Sequence, residues 1–295
     1  MSMNYYYLVA GLADISFETE KSSYSVAAFK EEIYPSLTEK DRRLVDLVFQ
    51  QYDQQNILNL LKVVDNNVSQ ENILANSALC SNGGLLQIEQ LAELIVQAKQ
   101  GDKVSFDCPK YLYDFVQDYF NMEQSASSHL LEDKLKAMFY DYATKVDNKF
   151  IAEWFKYNLD LKNLMVAYTA RKYSLNASDF VVGNNEVADA LKTSGARDWG
   201  LSASVDYLDE LLTVLDEADL ALRERKIDLL KWNWLEENSF FNYFSIEKLF
   251  VFLQKIQMVE RWISLDKEKG QQLFRTLISN LKSLVMRNIK DGLKN

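Results

Sequence analysis

Histidine occurs once in these 295 residues, as His129, and proline only twice. A lone imidazole leaves little room for histidine-based acid–base or metal chemistry. His129 and Glu132, three apart at a helix start, could offer two ligands where a zinc site takes three or four. Two prolines and 9 glycines are too few to punctuate many short strands, whereas long helices need few breakers, so the scarcity points to an all-α chain. Cys80 and Cys108 are isolated, which rules out a disulfide framework and a CxxC metal site and fits reduced thiols in a reducing compartment. Nowhere does an uncharged apolar run approach the ~18 residues of a membrane span. The start, MSMNYYYLVAGLADIS, lacks the basic n-region and longer apolar core of a signal peptide. A soluble, cytoplasmic protein without direct membrane insertion is expected. Basic residues are outnumbered, 33 against 43, for a net charge of −10. With no basic block to neutralise phosphates, nucleic acid is not an expected partner, while a basic protein surface is.

The familiar chemical signatures are missing as well. There is no GxxxxGK[ST] loop, no GxGxxG after a strand, no GxSxG, no HExxH and no DDxxD. Carboxylates are plentiful, but Glu31-Glu32, Glu132-Asp133 and Glu236-Glu237 are adjacent pairs that point in different directions on a helix. The residues therefore give no reason to expect a catalytic, cofactor-binding or metal-binding site, and an enzyme is not expected.

What the chain does have is an ordinary globular balance, 48% hydrophobic and 26% charged, and a motif that occurs twice. Tyr52-Asp53-Gln54-Gln55-Asn56-Ile57 and Leu159-Asp160-Leu161-Lys162-Asn163-Leu164 share one order: an apolar or aromatic residue, Asp, two residues, Asn, a branched aliphatic. Asp and Asn three apart lie on one helix face, where they can hydrogen-bond across a helix contact and fix which helices meet. Each copy sits on a long amphipathic segment, and each is followed by a glycine loop and a shorter helix. An internal duplication is the economical reading. Val259-Glu260-Arg261-Trp262-Ile263 is a degenerate third echo, without the Asp and the Asn.

Along the chain, residues 4–12 read as a short strand or a buried extended arm. Val26, Phe29 and Ile33 mark a helix that stops near Tyr34-Pro35. Thr38, with Asp41 three residues on, caps the helix that carries the first motif. Asn82-Gly83-Gly84 is a turn before a helix from Leu85, and Pro109 opens the next helix. The small polar run Gln124 to Ser128 divides units, and Leu130 to Val146, Phe150 to Tyr173 and Val205 to Trp232 read as long helices. A last helix pair carries Ile246 to Ile263 and the apolar stripe Leu273 to Val285. Three pseudo-repeats result, 1–124, 125–235 and 236–295. Trp199, Trp232, Trp234, Phe240 and Phe241 are the aromatics that either face a protein partner or close the helix bundle from inside.

The arrangement resembles the C-type central-stalk family of the V/A-type (vacuolar-type) rotary ATPases, called d in eukaryotic enzymes, and is similar to a bacterial family found with V-type ATPase genes. The residues that carry the resemblance are Tyr5 to Leu12, Phe29-Lys30-Glu31-Glu32, Asp53 and Asn56, Asp160 to Leu164, and the basic Arg171-Lys172 beyond the second motif. In the first copy Lys62 takes the basic place. The resemblance implies a funnel of three similar helical units about a pseudo-threefold axis. Such a funnel would be a non-catalytic central-stalk socket between the membrane rotor ring and the central shaft, in ATP-driven or ATP-producing ion transport, peripheral to the inner membrane. A reading of another class is a free-standing helical repeat adaptor that takes a protein or peptide in a concave groove.

Overall fold

The computed structural model describes residues 5–19, 24–63, 68–121 and 128–266, without the side chains of Ser128 and His129. The apolar stripe from Leu273 to Val285, most of the small polar run and the His129 side chain lie outside the described residues. In chain order the helices are α1 (Tyr6–Ala10), α2 (Val26–Ala28), α3 (Glu39–Val63), α4 (Gln70–Ala75), α5 (Ile88–Gln100) and α6 (Lys110–Asn121). They continue with α7 (Ser128–Ala143), α8 (Lys149–Lys172), α9 (Glu186–Thr193), α10 (Leu208–Leu215), α11 (Leu220–Asn238) and residues 246–266 as α12. No strand occurs among the described residues, and the fold is all-α.

The chain divides into two compact units, Thr38–Phe241 on one side and Met1–Leu37 with Asn242–Asn295 on the other. The smaller unit draws on two segments separated in sequence by the whole of the larger one.

In the larger unit, Thr38 opens α3 as its sequence suggests. Its hydroxyl accepts the Asp41 N–H at 3.2 Å and donates to the Asp41 carboxylate at 2.8 Å. Leu47, Phe49, Ile57 and Leu60 of α3 are sealed from solvent. Asn148 caps α8 by accepting the Ile151 N–H at 3.0 Å. Helices α4 to α8 pack in series, α3 also meets α7, and both α10 and α11 return onto α8.

Two expectations for this unit change. The stretch from Val205 to Trp232 is not one helix but two, because Asp219 takes the N–H groups of Ala221 and Leu222 on its own side chain and so starts α11 afresh. The helix expected to stop at Trp232 runs on to Asn238 and carries Trp234 as well. Trp232 is buried, and Trp234 stacks on Tyr157 with centroids 5.3 Å apart and also contacts Trp154 and Phe150. Both close the bundle from inside. Phe240 and Phe241, by contrast, are in solvent, 64% and 83% exposed. Since the Trp232 indole N–H donates to Glu236 at 3.0 Å, Trp232→Phe should cost about 1 kcal/mol of folding free energy. Thermal melting followed by circular dichroism reads this, and a variant as stable as the wild type would leave that bond without weight.

The smaller unit corrects the reading of the start. Residues 6–10 form a helical turn rather than a strand, since the Val9 N–H closes on the Tyr5 carbonyl at 2.9 Å and no described strand is present to pair an extended arm. The buried Tyr5 donates its N–H to the Phe244 carbonyl at 2.6 Å, and Tyr6 packs on the Phe244 ring. Ser25 caps α2, which runs on as a π turn (Phe29–Ile33) and a 3-10 turn through Pro35. Leu249, Phe250, Leu253 and Ile256 of α12 are fully buried.

Candidate functional site

The duplicated motif is a pair of clamps between a long helix and a glycine loop. On α3, Asp53 and Asn56 are 1% and 2% exposed, so each polar atom needs a partner inside the protein. Asn56 pairs with both backbone groups of Ser81, donating to its carbonyl at 3.2 Å and accepting its N–H at 2.8 Å. The Asp53 carboxylate accepts the N–H groups of Leu85 and Leu86 at 3.0 and 3.1 Å, just before α5. The Tyr52 ring lies beneath Gly83, where a Cβ would come within 3.2 Å of it.

Each part recurs on α8. Asn163, with no exposed surface, donates to the Val182 carbonyl at 2.7 Å and accepts the Val182 N–H at 3.0 Å. Asp160 accepts the Asn185 side-chain amide at 2.6 Å, and Asn185 in turn caps α9 through the Ala188 N–H at 2.8 Å. Leu159 stands where Tyr52 stands, beneath Gly183, a residue with φ of +84°. In both copies the Asn holds one loop residue by both backbone groups, the Asp holds the start of the next helix, and the preceding residue supports a loop glycine. The second Asp acts through an added Asn185 where the first reaches the backbone directly.

The expectation that these side chains join helix to helix is thereby corrected. A helix interior has its N–H and C=O groups already paired, whereas a loop residue presents one of each, and a carboxamide matches that pair. The loops themselves were legible as turns. Asn185 as the intermediary was not singled out, although its place directly after Gly183-Asn184 is a capping signal.

Arg171, the basic residue beyond the second motif, donates to the carbonyls of Ala196 and Arg197 at 2.8 and 2.6 Å. Its guanidinium also lies over the Trp199 ring at 4.1 Å. Trp199 is 4% exposed and sits at φ of +52°, so it is an inward anchor for this loop and not a partner surface. Lys62 of the first copy instead pairs with Glu132 at 3.6 Å.

In the smaller unit the third echo shares only an acid with the device, and that acid meets a helix that precedes it in the chain rather than one that follows. Glu260 of α12 accepts the Val26 N–H at 3.1 Å, so an acid again holds the start of a short helix. Ile263 occupies the Asn position and cannot pair with a loop backbone.

Burial raises the Asp160 carboxyl above its ordinary 3.8, with the Asn185 bond and the nearby Lys156 offsetting part of that rise. A carboxyl raised on folding binds its proton more tightly in the folded state, so its effect is to lower stability as pH rises through the window just above 3.8. Melting the wild type and Asp160→Asn in parallel from about pH 3 to about pH 7 should show the wild type losing ground to the variant across that window and then a constant gap. Curves that keep one separation throughout would place this carboxyl at its ordinary value.

Elsewhere, burial pushes the Cys108 thiol up to about 12 and raises that of Cys80, so neither is a ready thiolate. Among the described residues, no group of three His, Cys, Asp or Glu side chains could hold a metal ion, and no helix is long and apolar enough to cross a membrane.

No curated protein and no solved structure matches the chain. A family model described as a protein of unknown function, DUF2764, matches residues 1–285. With that match running nearly end to end, the chain belongs to the DUF2764 family.

Proposed function

We propose that this protein is a non-catalytic central-stalk subunit of a V/A-type rotary ATPase, a socket that couples the membrane rotor ring to the central shaft in ATP-driven or ATP-producing ion transport. In this reading it is cytoplasmic and held against the inner membrane by its protein partners, with no inserted segment and no nucleic acid. The observation that carries the reading is the clamp built twice, at Asp53 and Asn56 and at Asp160 and Asn163. Three related helical units are what the likeness to the C-type central-stalk family implies, here within a funnel about a pseudo-threefold axis. The physics supports the role. A part that transmits torque must not yield internally, and the clamps tie helices of 25 and 24 residues to their loops by hydrogen bonds from buried side chains. An acidic surface suits basic stalk surfaces, and that attraction weakens with salt.

Affinity capture of the tagged protein from its native membranes, followed by mass spectrometry, tests the proposal. The ring protein and the stalk shaft should be retained together. Reproducible isolation with an unrelated assembly would overturn it.

A further inference from the structure

Within the larger unit an open cleft of about 1250 Å³ runs between α3, α6, α7, α8 and the loop around Gly183. It exceeds the ~300–1,000 Å³ of ordinary small-molecule pockets, which points to a segment of polypeptide as its occupant. Its floor is apolar, with Leu44, Tyr111, Leu159 and Val182, and its rim exposes Leu130 and Tyr142, 59% and 39% accessible. Its charge runs against the chain as a whole. Seven basic side chains line it against four aspartates, in a protein whose net charge is −10.

Part of that basic excess is uncommitted. Lys40 and Lys145 are neutralised by Asp147 and Asp141, both at 2.6 Å. Lys110 and Lys156 make no hydrogen bond or ion pair among the described residues, although Lys156 lies within electrostatic reach of the buried Asp160. Lys192 rests its ammonium on the Gly183 carbonyl at 2.7 Å rather than on a carboxylate. We propose that the cleft takes an acidic amphipathic helix of a protein partner, its apolar face on the floor and its carboxylates on Lys110, Lys156 and Lys192. Helix-in-groove recognition needs this combination of an apolar trough and complementary flanks. A nucleic-acid backbone fits less well, because the four aspartates would face its phosphates and the apolar floor would go unused. This inference does not rest on the rotary-coupling reading, and its test uses the purified chain alone.

Fluorescence anisotropy of the full chain with a labelled Glu/Leu amphipathic peptide of about four helical turns measures it, beside a Lys/Leu peptide of the same pattern and an oligothymidine. The acidic peptide should bind, weaken about tenfold between about 50 and about 300 mM salt, and exceed both other probes. Lys110→Glu with Lys156→Glu should cost at least about tenfold in affinity and create binding of the Lys/Leu peptide. The milder pair Lys110→Gln and Lys156→Gln covers the case in which reversal disturbs folding, and should still weaken the acidic peptide severalfold. Equal binding of the acidic and basic peptides, affinity indifferent to both pairs of substitutions, or oligothymidine bound as tightly as the acidic peptide would each overturn the proposal.

Discussion

Gly84→Ala is expected to remove about 4 kcal/mol of folding free energy through a single added methyl group. The reason lies in Asp53, not in the glycine's own dihedral angles. A Cβ at position 84 would overlap Asp53 Oδ1 and come within 3.0 Å of its Cγ. The carboxylate would have to leave, abandoning the Leu85 and Leu86 N–H groups, and hydrogen bonds to a charged group carry ~1.5–3 kcal/mol each. Because the damage runs through one side chain, it should not add to that of Asp53→Ala. Once the carboxylate is gone, the nearest remaining Asp53 atom among those in reach is its backbone N, at an ordinary 3.4 Å. Urea denaturation of the two single variants and the double variant should therefore give a double close to the worse single. Fully additive losses would show that the glycine is required for some other reason.

Asn163→Ala should cost about 3 kcal/mol, since both backbone groups of Val182 would be left unpaired, each worth ~1–3 kcal/mol. The corresponding Asn56→Ala should cost less, nearer ~1 kcal/mol, because Ser81 is exposed and water can take over its N–H and carbonyl. The comparison between the two decides the matter. Asn163→Asp sharpens it, for a carboxylate oxygen would then face the Val182 carbonyl oxygen in place of the donor now 2.7 Å away. That variant should be less stable than Asn163→Ala near neutral pH and recover as acid protonates the carboxyl, with the loss present above its pKa and relieved below it. Equal costs at positions 56 and 163 would mean that burial of the loop does not set the strength of the clamp.

Periodicity made the long helices legible, because a stripe of Leu44, Leu47, Val48, Ile57 and Leu60 has to face a core wherever that core lies. The Asp and Asn of each motif were equally visible as a pair. Their partners were not, since Ser81, Leu85, Val182 and Asn185 are loop positions fixed by where the chain returns, not by any local spacing. Gly84 reads as a turn residue, yet its requirement is set by an oxygen on a distant helix. The aromatics left two readings open for a related reason. Trp232 and Trp234 look like a polar-flanked surface strip in one dimension, but a helix that continues past them turns both onto Tyr157, Trp154 and neighbouring side chains. At Asp219 the acid reads as one more helical residue until its side chain is found taking the amides that would have carried the helix backward.

Glu260 receiving the Val26 amide, and Tyr5 bonding to Phe244, make the smaller unit out of two segments that the whole larger unit separates in sequence. During synthesis the opening 37 residues leave the ribosome long before their partners exist, while Thr38–Phe241 can finish and fold behind them. Tyr24 and Val26 must wait for Phe252 and Glu260, the partners they meet on α12. A change that unseats α12 would thus be felt in residues made before the larger unit as well as in its own neighbours.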